Sequence, residues 1–184
     1  MMEAMYDPSN RHIGRDASRA SDTDLMMFGH YVNNNIGIDF KIYAMGIFFG
    51  IGTAFVTLYN GVVIGAVAGH LTGLGFGETF WSFVVGHGSF ELTAIVISAA
   101  AGLRLATPLI APAPFGRKDA FLVAGKQSIQ LLLGAALMTF VAAFIEAFWS
   151  SSTLIPNAIK YGVAALLWLF VGWYLLFCGK AKNS

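Results

Sequence analysis

Charge is nearly absent from three long stretches of this sequence, and that absence limits the folds open to it more than any other feature. Between Ile42 and Leu103 the only charged side chains are Glu78 and Glu91. From Ser128 to Asn157 there is only Glu146, and from Tyr161 to Gly179 none. Apolar runs of roughly 18 residues or more are long enough to cross a hydrocarbon core about 30 Å thick. Only 11% of the 184 residues are charged, against about 25% in soluble domains. The pattern implies a polytopic membrane protein: an all-α transmembrane helical bundle of about five membrane segments.

The segments can be placed in order. Residues 1–25 are polar and lack apolar periodicity, so they are expected as a disordered or peripherally packed tail, ahead of a single transmembrane domain over 26–182. No 7–15-residue apolar core of a secretory signal opens the chain. Asn33, Asn34 and Asn35 read as a cap or polar break before a first span at Ile36–Tyr59, with Asp39 and Lys41 at its interfacial end. Asn60-Gly61 is a turn signal. It leaves residues 61–74 as a short or re-entrant segment, tolerable where protein rather than lipid surrounds it. Further spans are expected at about His87–Thr107, Gln127–Phe148 and Ala158–Cys178. Arg104, Arg117, Lys118 and Lys126 stand against Asp119 alone, so the positive-inside rule puts the loop 104–126, and with it the C-terminus, in the cytoplasm.

Two features mark the centre of the chain. Gly61, Gly65, Gly69 and Gly73 fall four apart, the small-xxx-small spacing that lets apolar helices approach closely; with Gly102 they are read as helix-packing positions. His87, Glu91 and Ser98 share one helical face with Ala94 and Gly102. Ionisable groups in such a setting are costly and are functional candidates by default. His87 and Glu91 admit two readings, a buried pair that locks the bundle or a proton, ion or metal site. A catalytic metal needs about three protein ligands. The best third candidate, His70, lies on another segment without motif spacing, so no metal is expected. Ser98 is no hydrolase nucleophile with His87 as base, since the two stand about 16 Å apart along a helix. Glu146 is expected at the outer interface, where Lys160 could pair with it. No Walker loop, G-x-S-x-G, HExxH or CxxC occurs, so the common soluble-enzyme chemistries are absent. No cofactor is expected. A net charge of +1 without a basic patch argues against nucleic acid, and the lone Cys178 cannot form an intrachain disulfide.

Several blocks together resemble the stage II sporulation protein M family of bacterial membrane proteins. They are Met27-Phe28-Gly29-x-Tyr31-x-Asn33-Asn34, Gly50-x-Gly52-Thr53 and Tyr59-Asn60-Gly61-x-x-x-Gly65, then His87-Gly88-x-x-Glu91-Leu92-Thr93-Ala94 and Ala101-Gly102-Leu103-Arg104. Ile145-Glu146-Ala147-Phe148 and Ile159-Lys160-Tyr161 extend the likeness. The resemblance implies a multi-spanning protein of the bacterial cytoplasmic membrane. In endospore formers such a protein anchors a peptidoglycan transglycosylase and an amidase at the septal membrane and is not itself a catalyst. Longer members carry helices ahead of the asparagine run, so Met1–Leu25 is read as the tail of such a region, in a short form or a fragment. The expected function is a non-catalytic scaffold whose partners are the bilayer, cell-wall hydrolases and further copies of the chain. The rival is a transporter or channel lined by His87, Glu91 and Ser98.

Overall fold

In a computed structural model, residues 2–9, 21–111 and 116–177 are described, and almost all of them are helical. A short helix α1 (Met2–Tyr6) precedes α2 (Ser21–Ala44), a 3-10 turn (Met45–Ile47), α3 (Ile51–Gly73) and α4 (Gly77–Ile110). Then come α5 (Arg117–Phe144), a π-helical segment (Ile145–Ser150) and α6 (Asn157–Phe177). Among the described residues, α3, α4, α6 and the continuous run Arg117–Ser150 are long and apolar enough to cross a membrane. Helix α2, with Asp24, Asp39 and Lys41, is a fifth long helix.

The all-α bundle agrees with the sequence reading, but two of its boundaries move. The chain reverses not at Asn60-Gly61 but at residues 45–50. There Phe49 and Gly50 take φ of 56° and 78°, a left-handed backbone that glycine adopts freely and other residues rarely do. A Cβ on Gly46 would run into the Gly102 carbonyl of α4. Thr53 Oγ1 donates 2.7 Å to the Ile42 carbonyl, satisfying one of the carbonyls orphaned at the end of α2. The corner is thus fixed by backbone geometry and close approach. Residues 61–74 are no short segment: they continue α3, whose 23 residues span about 34 Å. Asn60 sits in mid-helix and donates 2.8 Å to the Val56 carbonyl.

Helix α3 ends in a Schellman cap. Gly75, at φ 85°, lets the Gly75 and Phe76 amides turn back to the Thr72 and Leu71 carbonyls at 3.0 and 2.9 Å. Helix α4 then runs unbroken for 34 residues, absorbing the aromatic stretch 78–86, and continues past Pro108. It is the central element and packs on α2, α3, α5 and α6. Of the residues expected as a loop at 104–126, 104–110 and 117–126 are helical; Pro112 and Pro114 lie outside the described residues.

Cross-contacts set the directions. Gly46 and Thr53 both meet Gly102, while Leu71 packs beside Phe80, so α2 and α3 form an antiparallel hairpin along α4. Arg104 donates to Gln127 and His87 bonds Ser150, so α5 is antiparallel to α4. Asn157 reaches Glu78 and Trp168 the Val85 carbonyl, so α6 runs parallel to it. One end of the bundle therefore holds the 45–50 corner, the end of α4 and the start of α5. The other holds α1, the start of α2 and the turns at 74–76 and 151–156. At that second end Tyr6 lays its ring edge-on to Phe80 and Phe83, with centroids 5.2 and 6.1 Å away.

The distribution of residue types is that of a membrane protein. Many interior positions are small or polar: Ala94, Ala101, Ala135, Ala142, Ala143, Ser89, Ser98, Ser128 and Thr139 are buried. Large apolar side chains face out, among them Phe55, Leu58 and Val62 on α3 and Leu166, Leu169 and Leu176 on α6. In water such a surface would drive aggregation. In lipid it is the solvated face, and small interior residues let the backbones close.

Candidate functional site

The apolar helices enclose two layers of polar side chains. The first is built on Asp39 of α2, which is fully buried. Ser98 of α4 donates 3.0 Å to Asp39 Oδ1, and Thr139 of α5 donates 2.5 Å to Oδ2. Each carboxylate oxygen has a hydroxyl donor, which is what a buried acid requires. The sequence placed Asp39 at the interfacial end of a span. The corner at 45–50 instead keeps α2 helical through residue 44, and so carries Asp39 into the bundle interior.

The second layer lies toward the α1 end. His87 and Glu91 come from one face of α4, with His87 Nε2 3.9 Å from Glu91 Oε2, beyond a hydrogen bond. The π-helical segment supplies Glu146 and Ser150, and α6 supplies Lys160. Ser150 Oγ hydrogen-bonds His87 Nδ1 at 3.1 Å, and Lys160 Nζ donates 2.8 Å to the Ser150 carbonyl. One donor atom from each of His87, Glu91 and Glu146 lies within 4.8 Å of the others. Glu146 is buried, and its Oε2 has no hydrogen-bond partner. The π turn is marked by the Ser151 amide reaching the Glu146 carbonyl at 3.3 Å; such widened turns often occur at functional sites.

Aromatic residues close this layer at the α1 end. Phe83 lies edge-on to His87, centroids 5.3 Å apart, and Tyr6 packs on Phe83. Burial pushes the Tyr6 phenol up to about 12, and the Glu146 charge adds to the rise. A recess of about 30 Å³ lined by Ser82, Ser150, Asn157 and Lys160 opens beside it. It can hold a water molecule but falls far short of the roughly 300 Å³ of a small-ligand pocket.

The remaining expected residues scatter. Asn33 and Asn34 are exposed within α2, where Asn34 bonds Asn35 at 2.9 Å; they cap nothing. His70 is exposed and pairs with Glu3 of α1 at 2.9 Å. Arg104 is exposed against Gln127. Gly102 is a packing residue: a Cβ there would lie 2.5 Å from Thr53 Oγ1 and 3.0 Å from the Ile42 carbonyl oxygen. Gly61, Gly65, Gly69 and Gly73 are not packed within this chain, since nothing lies within 4 Å of a Cβ at any of them. Sequence reasoning missed Asp39, Thr139 and Ser150 as members of the site. Asp39 carried a usable signal, an acid set within a run of isoleucines and aromatics, but nearby Asn and Lys41 gave that run the look of an interface.

Comparison with known proteins adds one finding. The family model described as Stage II sporulation protein M matches residues 2–151, well over half of the chain. No curated protein and no solved structure matches it. The matched stretch holds all of the Asp39 layer together with His87, Glu91, Glu146 and Ser150, and leaves Lys160 on α6 outside. This multi-pass helical membrane protein therefore belongs to the stage II sporulation protein M family.

Proposed function

We propose that the protein is a non-catalytic anchor of the bacterial cytoplasmic membrane, which holds peptidoglycan-remodelling hydrolases, a transglycosylase or an amidase, through a lateral helix contact. The observation that carries this reading is the outward glycine ladder of α3. Gly61, Gly65, Gly69 and Gly73 have open space where a Cβ would be, on a helix whose most apolar stretch is 17% buried. Small residues at this spacing suit a second transmembrane helix, because they let two backbones come close and gain dispersion contacts that lipid tails do not give. Charge supports an orientation. Lys41, Arg104, Arg117, Lys118 and Lys126 belong to the end that holds the 45–50 corner, against Arg11, Arg15 and Arg19 in the sequence between α1 and α2. The positive-inside rule then puts the corner end in the cytoplasm and α1 on the cell-wall side, where hydrolases work.

The test is co-purification from native membranes at matched expression. Wild type recovers a transglycosylase or amidase in fixed proportion, Gly65→Ile loses it, and Glu91→Gln keeps it. Recovery unaffected by Gly65→Ile overturns the lateral contact.

A second reading is favoured by the polar interior. Asp39, Ser98, Glu91, Glu146 and His87 run through the bundle as an intramembrane polar path, the feature expected of an ion or proton pathway. On that reading Glu91→Gln abolishes a proton or ion flux in liposomes while leaving the fold intact. An unchanged flux, or none in wild type, removes it.

A further inference from the structure

We propose that His87, Glu91 and Glu146 bind one divalent transition-metal ion, of the Zn²⁺ class, inside the bundle. The site would pin the π-helical segment to α4, and it stands or falls independently of the anchoring role.

Four observations converge on it. The first is the donor set, an imidazole nitrogen and two carboxylates within 4.8 Å of one another. Zinc bonds to nitrogen and oxygen run about 2.0–2.2 Å, which puts tetrahedral donors about 3.4 Å apart. The 3.9 Å between His87 Nε2 and Glu91 Oε2 closes to that value with a small carboxylate rotation. A mixed imidazole and carboxylate set suits Zn²⁺ and its first-row neighbours better than Ca²⁺ or Mg²⁺, which favour all-oxygen shells.

The second is the orientation of His87. Ser150 Oγ occupies Nδ1 at 3.1 Å, which leaves Nε2, 3.9 Å from Glu91 Oε2, as the ring nitrogen that turns toward the carboxylates. Metal-binding histidines are held in this way, their second nitrogen occupied by an outer partner. Lys160 in turn holds the Ser150 backbone through its carbonyl.

The third is Glu146 Oε2, buried without a hydrogen-bond partner on a side chain only 8% exposed. Leaving a buried polar atom unsatisfied is expensive, more so for a charged group. Asp39 shows that this protein satisfies a buried acid when nothing else is to bind it: both of its oxygens have hydroxyl donors.

The fourth is charge. When Glu91 and Glu146 are both ionised they repel each other in a low-dielectric interior, and a divalent cation bound between them compensates both charges at once. A second histidine–carboxylate pair, His70 with Glu3, has side chains 58% and 62% exposed, and among the described residues it gathers no third donor. It offers no such site.

The experiment uses the full chain in detergent, stripped with a chelator, incubated with Zn²⁺, desalted and measured by mass spectrometry of the metal. Wild type should retain about one Zn²⁺ per chain, with the fourth tetrahedral position left to water. Glu146→Gln and His87→Ala should each weaken binding at least about tenfold, since every donor is a direct ligand. His70→Ala should bind as wild type does. Co²⁺ in place of zinc gives wild type the visible absorption of a tetrahedral nitrogen–oxygen site, and Glu146→Gln lacks it. Because glutamine keeps the size of the glutamate it replaces, an unchanged gel-filtration position shows that the loss is not unfolding. Failure of wild type to retain Zn²⁺ overturns the proposal. So does retention that Glu146→Gln leaves unchanged, or that His70→Ala abolishes.

Discussion

Replacing Gly102 by alanine isolates what holds the α2–α3 corner to α4. The added methyl would stand 2.5 Å from Thr53 Oγ1 and 3.0 Å from the Ile42 carbonyl oxygen, both well inside van der Waals contact. Those two atoms are bonded to each other at 2.7 Å, so neither can yield alone. Moving Thr53 breaks that bond, and moving the Ile42 carbonyl shifts the end of α2. Overpacking of this kind costs about 1–3 kcal/mol, and loss of the hydrogen bond adds about 0.5–1.5 kcal/mol. The sum is roughly 2–4 kcal/mol, which for a chain of this size lowers an unfolding midpoint by about 5–15 °C. Gly65→Ala is the matched control, also mid-helix but with nothing within 4 Å of its Cβ. It should leave the midpoint unchanged or slightly raised, because alanine is the better helix former by up to about 1 kcal/mol. The assay is the thermal midpoint of both purified variants by circular dichroism in the same detergent. Equal midpoints for the two variants would refute the close-approach reasoning.

Two further outcomes follow from the polar interior and from α1. Asp39→Ala removes the acceptor of both Ser98 and Thr139 and should cost about 2–4 kcal/mol, against about 1 kcal/mol for Asp39→Asn, which keeps one acceptor oxygen; chemical denaturation of the two variants reads the difference, and a wild-type midpoint for Asp39→Ala would contradict the network. Tyr6 holds its proton to about 12 in the folded protein, against about 10 in an unfolded chain. Its contribution is therefore complete below pH 10 and is lost as pH rises from 10 toward 12, since the unfolded chain releases the proton first. Amide exchange of α1 should stay slow to about pH 10, after allowance for intrinsic rates, and rise above it. Protection that is lost already near pH 8, or that persists past 12, would show that Tyr6 does not hold α1 in place.

Much of this fold could be read from the spacing of charges, because lipid punishes an exposed charge wherever it falls. Helix existence followed from that, and so did the inward face of α4, whose residues 87, 94, 98 and 102 are all buried. The positions of breaks did not. Asn60-Gly61 is a turn signal because in water asparagine and glycine release the helix cheaply. Inside a bilayer the unsatisfied backbone groups of a turn cost more than the propensities of two residues, so the helix runs on. The true corner, at Gly46 and Gly50, depends on a carbonyl from α4, far along the chain, which no local pattern reveals. The candidate site failed in the same manner. His87 and Glu91 were legible from their shared face, but Glu146, Ser150 and Asp39 reach them only through tertiary packing and the π turn at 145–150. The glycine ladder reads as helix packing because small residues in apolar helices usually face a neighbour. Here no described element of the same chain lies against it.

The anchoring role rests on what does lie against that ladder in the membrane, and a photoreactive side chain placed at Gly65 would report it directly. In native membranes the account expects a crosslink from position 65 to a transglycosylase or amidase, and none from the lipid-facing Leu169 of α6. Crosslinks to lipid alone from position 65, or equal protein crosslinking from both positions, would contradict it.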